Sequence, residues 1–143
     1  MIVYITVDQV IKIHDRQIEQ HGGLQGIRDL GLLTSAMAMP KSSFGGVEMY
    51  PTIFDKAAAY VFYIAKNHPF FDGNKRTAAF TALLFLRING LNLTLDLKQY
   101  ELLVIGLAEG LISKTQMGHF FARSDKLTRP QRKKRSKHVK RRR

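Results

Sequence analysis

The sequence contains no cysteine, which excludes a disulfide framework and any zinc site built on thiolates. It also has no apolar run of transmembrane length, since the most apolar stretch, residues 78–86, is about half as long as a span requires and includes Thr81. Residues 1–5 lack the basic segment that opens a signal peptide. We therefore expect a cytoplasmic protein that has no membrane partner.

Acidic residues are absent from the C-terminal tail. Residues 126–143 hold 11 Lys and Arg, giving +11, whereas residues 1–125 hold 12 Lys and Arg against 11 Asp and Glu, giving +1. With Leu127 and Val139 as its only aliphatic residues, the tail cannot bury enough apolar surface to offset the entropy of ordering. The rest of the chain is long enough for one hydrophobic core. We predict one folded domain over residues 1–125 and a disordered basic tail over residues 126–143.

Helix starts are marked by capping boxes at Thr6, Thr52 and Ser113. Together with apolar spacing and Gly or Pro stops, they predict an all-α bundle of about six helices. The predicted helices cover residues 7–21, about 29–39, 53–67, about 74–89, 97–109 and about 114–123. The third and fourth helices are apolar on nearly all sides and so belong in the centre of the bundle. We also predict a flexible loop over residues 41–51 and a short strand over residues 91–95.

Polar side chains concentrate between the two most apolar helices, in the run His68-Pro69-Phe70-Phe71-Asp72-Gly73-Asn74-Lys75-Arg76. Pro69 disfavours helical geometry at His68 and ends the preceding helix. Phe70 and Phe71 are placed to anchor the turn in the core. The polar residues are therefore predicted to be held on a rigid turn.

The second half of this run is typical of an anion site. Gly73 and Asn74 at a helix start offer unpaired backbone N–H groups at the positive end of the helix dipole, and Lys75 and Arg76 add two cations. Such a site is best suited to phosphate groups. It is not a Walker loop, because the sequence has no G-x-x-x-x-G-K-S/T.

Phosphoryl or nucleotidyl transfer needs a metal ion that bridges phosphates, donors that hold the developing charge and a base near the attacking hydroxyl. Asp72, residues 74–76 and His68 match these three roles in that order, since an imidazole titrates near neutrality. Taken singly, each residue also has a plain structural explanation: His68 could end a helix, Asp72 could cap one, and the two cations could form a solvated first turn. Their concentration in nine residues favours a site.

The run resembles the Fic/Doc motif, which in its Fic form is H-P-F-x-x-G-N-G-R-x-x-R. Two positions depart from that form: Lys75 replaces the glycine before Arg76, and Ala79 replaces the final arginine. Both departures match the death-on-curing branch, whose motif resembles H-x-F-x-D/N-A/G-N-K-R. The resemblance includes His14-Asp15, residues 22–24 and 26–33 and the loop 44–51, and covers roughly residues 4–123.

This resemblance implies a small helical toxin of a toxin–antitoxin system that uses ATP and Mg²⁺ to phosphorylate a Thr hydroxyl of elongation factor Tu and so arrests translation. By position, His68 would be the general base and Asp72 the magnesium ligand and acidic partner. Phosphate would be held by Asn74, also counted among the catalytic residues, with Lys75, Arg76 and a backbone nest at Gly73. Phe70 is assigned to the core.

The resemblance also bears on inhibition. Self-inhibited Fic proteins resemble one another in a segment S/T-x-x-x-E-G/N, but here Ile105 stands four residues before Glu109-Gly110, so that motif is absent. A separate antitoxin protein would have to inhibit this enzyme.

Other interpretations stay open from the sequence. One is AMP transfer to protein hydroxyls, which Lys75 and Ala79 both disfavour. Another is a non-enzymatic nucleic-acid-binding or regulatory module.

His14, with Asp15, His68 and Asp72, could be imagined as a hydrolase-type metal site, although a core histidine is the commoner role for His14. The loop 44–51 could dock a target peptide by strand addition or be a mere connector. The tail could bind RNA or ribosomes nonspecifically.

Overall fold

The computed structural model describes residues 1–125, so the predicted disordered tail lies outside the described part of the chain. Six α-helices follow one another in this part, and the predicted all-α class is confirmed. Their bounds are α1 Val7–His21, α2 Leu30–Ala38, α3 Ile53–Asn67, α4 Asn74–Ile88, α5 Leu97–Ala108 and α6 Lys114–Ser124. None of these helices, all within residues 1–125, is long and apolar enough to cross a membrane.

All three predicted capping boxes form. In each, the side chain of Thr6, Thr52 or Ser113 accepts the backbone N–H three residues on, while that residue's side chain accepts the N–H of the cap. These bonds satisfy donors that a helix start otherwise leaves unpaired. The helices begin and end within one residue or two of the predicted bounds because these signals are local.

The core is built around α3, which packs against α2, α4, α5 and α6. Its residues 57–61 are fully buried, as its apolar circumference predicts. The prediction is less accurate for α4, where Phe80 and Ile88 are 45% and 40% exposed. Helix α4 packs on α3, α1 and α5, and the side of it that carries Phe80 faces an open cleft.

The connections differ from the predicted ones in two places, and the predicted strand is wrong. No strand forms over residues 91–95; Leu93 makes only an isolated bridge to Asp125, because no neighbouring strand offers a ladder. A 3-10 helix, Met39–Lys41, leads into the predicted loop 41–51, and the loop contains a hairpin of β1 (Ser43–Phe44) and β2 (Val47–Glu48). Gly45 and Gly46, which form the turn of this hairpin, have φ of 58° and 80°, and a tight two-residue hairpin turn requires such positive values.

Candidate active site

The polar run begins where α3 ends. His68 has φ 52° and ψ 53°, and it is the only non-glycine residue of the described part with positive φ. The guanidinium of Arg28 donates to two carbonyls at the end of α3, with 2.7 Å from Nε to the oxygen of the capping residue His68 and 3.0 Å from Nη2 to that of the last helical residue, Asn67. A cation at a helix C-terminus is favourable, so Arg28 stabilises the strained conformation from which the exposed His68 imidazole projects.

A second segment, residues 24–29, runs along the turn and bonds to its backbone. The N–H groups of Arg28 and Asp29 both donate to the carbonyl of Pro69, at 2.7 and 3.0 Å, and the N–H of Phe71 donates to the carbonyl of Gly26 at 3.3 Å. Ile27 and Phe70 form an antiparallel bridge. The turn is therefore held in a short, extended pairing rather than left as a free loop.

The two phenylalanines of the run have opposite environments. Phe70 is fully buried and stacks on His14, with ring centroids 3.8 Å apart and an interplanar angle of 5°. Phe71 is 48% exposed and lies over Gly26, so the prediction that both rings anchor the turn is wrong for Phe71. Consecutive side chains of an extended segment point to opposite sides, and only one of the pair can enter the core.

The side chain of Asn74 is turned into the protein. It is 4% exposed, its Oδ1 accepts the N–H of Phe70 and its Nδ2 donates to the carbonyl of Phe70, each at 2.9 Å. Both ends of the amide are thus used to close the turn on itself. What Asn74 can offer an anion from this position is mainly its backbone N–H at the start of α4.

The start of α4 differs from the other helix starts. Within residues 1–125, the other five α-helices each have a Thr, Asp or Ser side chain that accepts a first-turn N–H, whereas α4 begins after Gly73, which has no side chain to do so. Gly73 is left-handed, with φ 77°. A helix start without such a cap keeps its N–H groups and its dipole available to an anion, and the exposed side chains of Lys75 and Arg76 lie beside it.

Asp72 is half-buried and is held at both its carboxylate and its backbone. Its Oδ2 accepts the N–H of Leu24 at 2.7 Å, and its carbonyl oxygen lies 2.8 Å from Nε2 of His14. Within residues 1–125 no three His, Cys, Asp or Glu side chains come together as a metal site. The hydrolase-type site imagined from His14, Asp15, His68 and Asp72 is therefore not formed in this part of the chain.

A cleft of about 970 Å³ opens between α1, the turn, α4 and α5. All the predicted site residues, His68 and 72–76, line this cleft. Its further wall is largely apolar, and the lining residues there are Ala79, Phe80, Leu83, Leu97, Tyr100, Val104, Ile105 and Ala108, with Glu101 and Glu109. Ala79, which stands where the Fic motif has its last arginine, brings no charge to the cleft. Burial raises the pKa of Tyr100, and its hydroxyl donates to the carbonyl of Ala79 at 2.7 Å.

Local sequence patterns did not indicate that His14, Arg28 or the segment 24–29 holds the turn; His14 was considered only as a metal ligand or a core histidine. Their contacts with the turn join residues 40 to 58 positions apart in the sequence. The spacing of residues within a helix or a motif does not show which distant segments come into contact. One signal did mark them, because these same positions belong to the wider resemblance outside the nine-residue run.

Comparison with known proteins agrees with the geometry. A model of the Fic/DOC family matches residues 4–86, more than half of the chain. Toxin Doc of Mycolicibacterium smegmatis (strain ATCC 700084 / mc(2)155) is 49% identical over 75 residues, which cover 52% of this chain and 58% of that protein. Protein kinase doc of Escherichia phage P1 is 36% identical over 110 residues, which cover 77% of this chain and 86% of that protein. The chain therefore belongs to the Fic/DOC family, in its death-on-curing branch.

Proposed function

We propose that this protein is the toxin of a toxin–antitoxin pair and that it transfers the γ-phosphoryl group of ATP to a protein hydroxyl. The observation that carries the proposal is the uncapped N-terminus of α4, which faces the same cleft as His68 and Asp72. An anion site, a base and a carboxylate are the parts that phosphoryl transfer requires. The relative named Toxin Doc supports the toxin role, and the relative named Protein kinase doc supports phosphoryl transfer to a protein.

In the proposed reaction, the γ-phosphate lies at the start of α4, where the backbone N–H groups of residues 73–76 and the side chains of Lys75 and Arg76 stabilise its charge. The hydroxyl oxygen of the protein substrate forms a bond to the γ-phosphorus as the bond from that phosphorus to the β–γ bridging oxygen breaks. The hydroxyl proton passes to the imidazole of His68, and ADP leaves with the bridging oxygen.

Asp72 fits a Mg²⁺ ion that is shared with the nucleotide. One of its carboxylate oxygens accepts the bond from Leu24, and the other makes no hydrogen bond within residues 1–125. Mg²⁺ is commonly bound by one or two carboxylates together with substrate phosphates and water, which suits a site with a single carboxylate. When bound, the ion would neutralise charge on the phosphates.

Transfer of the phosphoryl group is favoured over transfer of AMP. AMP transfer by the resembled Fic proteins depends on a tight glycine followed by two arginines, and this cleft has Lys75 in place of that glycine and Ala79 in place of the second arginine. A γ-phosphate needs only the cations and N–H groups next to the base. The whole cleft has a volume of about 970 Å³. The part of it beyond the phosphate site is lined largely by apolar side chains, which suit the nucleoside.

By family resemblance we propose a translation factor, elongation factor Tu, as the substrate, and a separate antitoxin chain as the inhibitor. A cytoplasmic location follows from such a target. The basic tail, residues 126–143, is proposed to bring the enzyme near RNA or ribosomes.

The test is to incubate the protein with a bacterial lysate, Mg²⁺ and ATP labelled either at the γ- or at the α-phosphate. We expect a labelled protein band from γ-label only, and none with His68→Ala. Label from the α position alone would make the protein an AMP transferase. No label from either, with a folded protein, would favour a non-enzymatic binding module.

A further inference from the structure

His14 is a buried ionisable residue that the proposed reaction does not use. It lies on α1, is 1% exposed, and packs its ring flat on Phe70. Its Nε2 is 2.8 Å from the carbonyl oxygen of Asp72. A carbonyl oxygen can only accept, so Nε2 carries the proton in this contact.

The carbonyl that His14 holds belongs to the peptide between Asp72 and Gly73. In a trans peptide the C=O and the N–H point in opposite directions. Because the carbonyl of Asp72 points at His14, the N–H of Gly73 points away from α1. One hydrogen bond thus orients both the backbone of the carboxylate residue and the first N–H of the anion site.

A second contact completes the arrangement. The N–H of Leu24 holds the carboxylate of Asp72 at 2.7 Å, so the residue is fixed by α1 at its backbone and by the following segment at its side chain. Space is tight on this side: a Cβ added to Gly73 or to Gly23 would lie 3.2 Å from Cδ1 of Ile18, which is one turn after His14 on α1. Helix α1 therefore sets the position of Asp72 relative to α4.

We propose that His14 is a positioning residue for Asp72 and that its N–H, rather than its ring packing, sets how tightly the site binds Mg²⁺ with ATP. This rests on the proposed function, in which Asp72 is the magnesium ligand. Hydrogen-bond partners of metal-binding residues typically change metal affinity or activity by 10- to 100-fold when they are substituted.

Two variants separate the donor from the ring. His14→Phe keeps an aromatic ring to stack on Phe70 but removes the N–H, whereas His14→Gln loses the ring and keeps an amide N–H of similar reach. His119→Phe, at an exposed position of α6, is the matched control for replacing a histidine by a phenylalanine. Thermal melting establishes that each protein is folded, and His14→Leu, which also lacks the donor, replaces His14→Phe if the latter does not fold.

ATP binding is then measured by calorimetry over a series of Mg²⁺ concentrations. We expect His14→Phe to weaken Mg²⁺-dependent ATP binding about 10-fold or more, with His14→Gln and His119→Phe within about threefold of the wild type. A merely structural His14 would give losses that follow melting temperature instead. The inference would be overturned if His14→Phe and His14→Gln lost ATP affinity equally, or if His14→Phe lost none.

Amide hydrogen exchange without nucleotide makes the result independent of the proposed activity. His14→Phe should speed exchange of the amides of residues 70–74 more than His14→Gln does. If the wild type binds no ATP but this difference appears, the proposed function fails and the positioning role stands. If the amides exchange alike in both variants, the positioning role is refuted whatever the wild type binds.

Discussion

The substitution Asn74→Ala tests whether the most buried polar residue of the motif acts on the turn or on the nucleotide. It removes the partner of both the N–H and the C=O of Phe70, and both of those groups are buried. Leaving a buried backbone group unpaired costs about 1–3 kcal/mol, so two such groups cost about 2–6 kcal/mol. For a domain of this size, about 3–5 °C is lost per kcal/mol, which gives a fall in melting temperature of at least about 6 °C.

Two further variants sharpen this prediction. Asn74→Asp has nearly the same shape but presents a second acceptor to the carbonyl of Phe70, so it should melt no higher than Asn74→Ala. Lys75→Ala changes the next residue, which is exposed, and should alter stability by no more than about 0.5 kcal/mol while weakening ATP binding.

The assay is thermal unfolding by circular dichroism, followed by ATP titration of each folded variant. A structural role for the Asn74 amide is refuted if Asn74→Ala melts within about 1 °C of the wild type and yet loses ATP binding, because the amide would then act on the nucleotide. It is refuted equally if Asn74→Asp is as stable as the wild type.

Four other outcomes follow from the structure. The unfolding free energy of His68→Gly should exceed that of His68→Ala by about 1 kcal/mol, so that it melts higher, since only glycine adopts the left-handed conformation without cost. Neither variant should transfer the phosphoryl group, and equal melting temperatures would contradict the positive φ. Phe70→Ala should cost about 3–5 kcal/mol in urea unfolding through the cavity it leaves, and a loss below about 1 kcal/mol would show that the ring is not part of the core. Arg28→Ala should lower kcat by about 10- to 100-fold by loosening the backbone that carries the base, with partial recovery in Arg28→Lys, and an unchanged kcat would exclude a positioning role. Deleting residues 126–143 removes a charge of +11 and should abolish salt-sensitive retention on RNA; retention that stays the same would eliminate the proposed role of the tail.

Much of the secondary structure could be predicted from the sequence because its signals are local. The capping boxes at Thr6, Thr52 and Ser113 act over three residues, and all three form as predicted. The strand predicted over residues 91–95 does not form, because the evidence for it was only partly local. Alternation of apolar and polar residues shows that a segment can pair as a strand, but not that a partner strand lies beside it. The hairpin at 43–48 was missed because strands of two residues are too short for a pattern.

By itself the sequence determined where the candidate site residues lie, since nine consecutive residues between two apolar helices contain an imidazole, a carboxylate, two cations and a helix start. Only the tertiary structure decided how each of them is used. It turned the amide of Asn74 inward and Phe71 outward, and it brought His14 and Arg28 against the turn from 58 and 40 residues away. The physical reason is that burial and hydrogen bonding depend on which distant segments meet, and this depends on the packing of the whole core around α3.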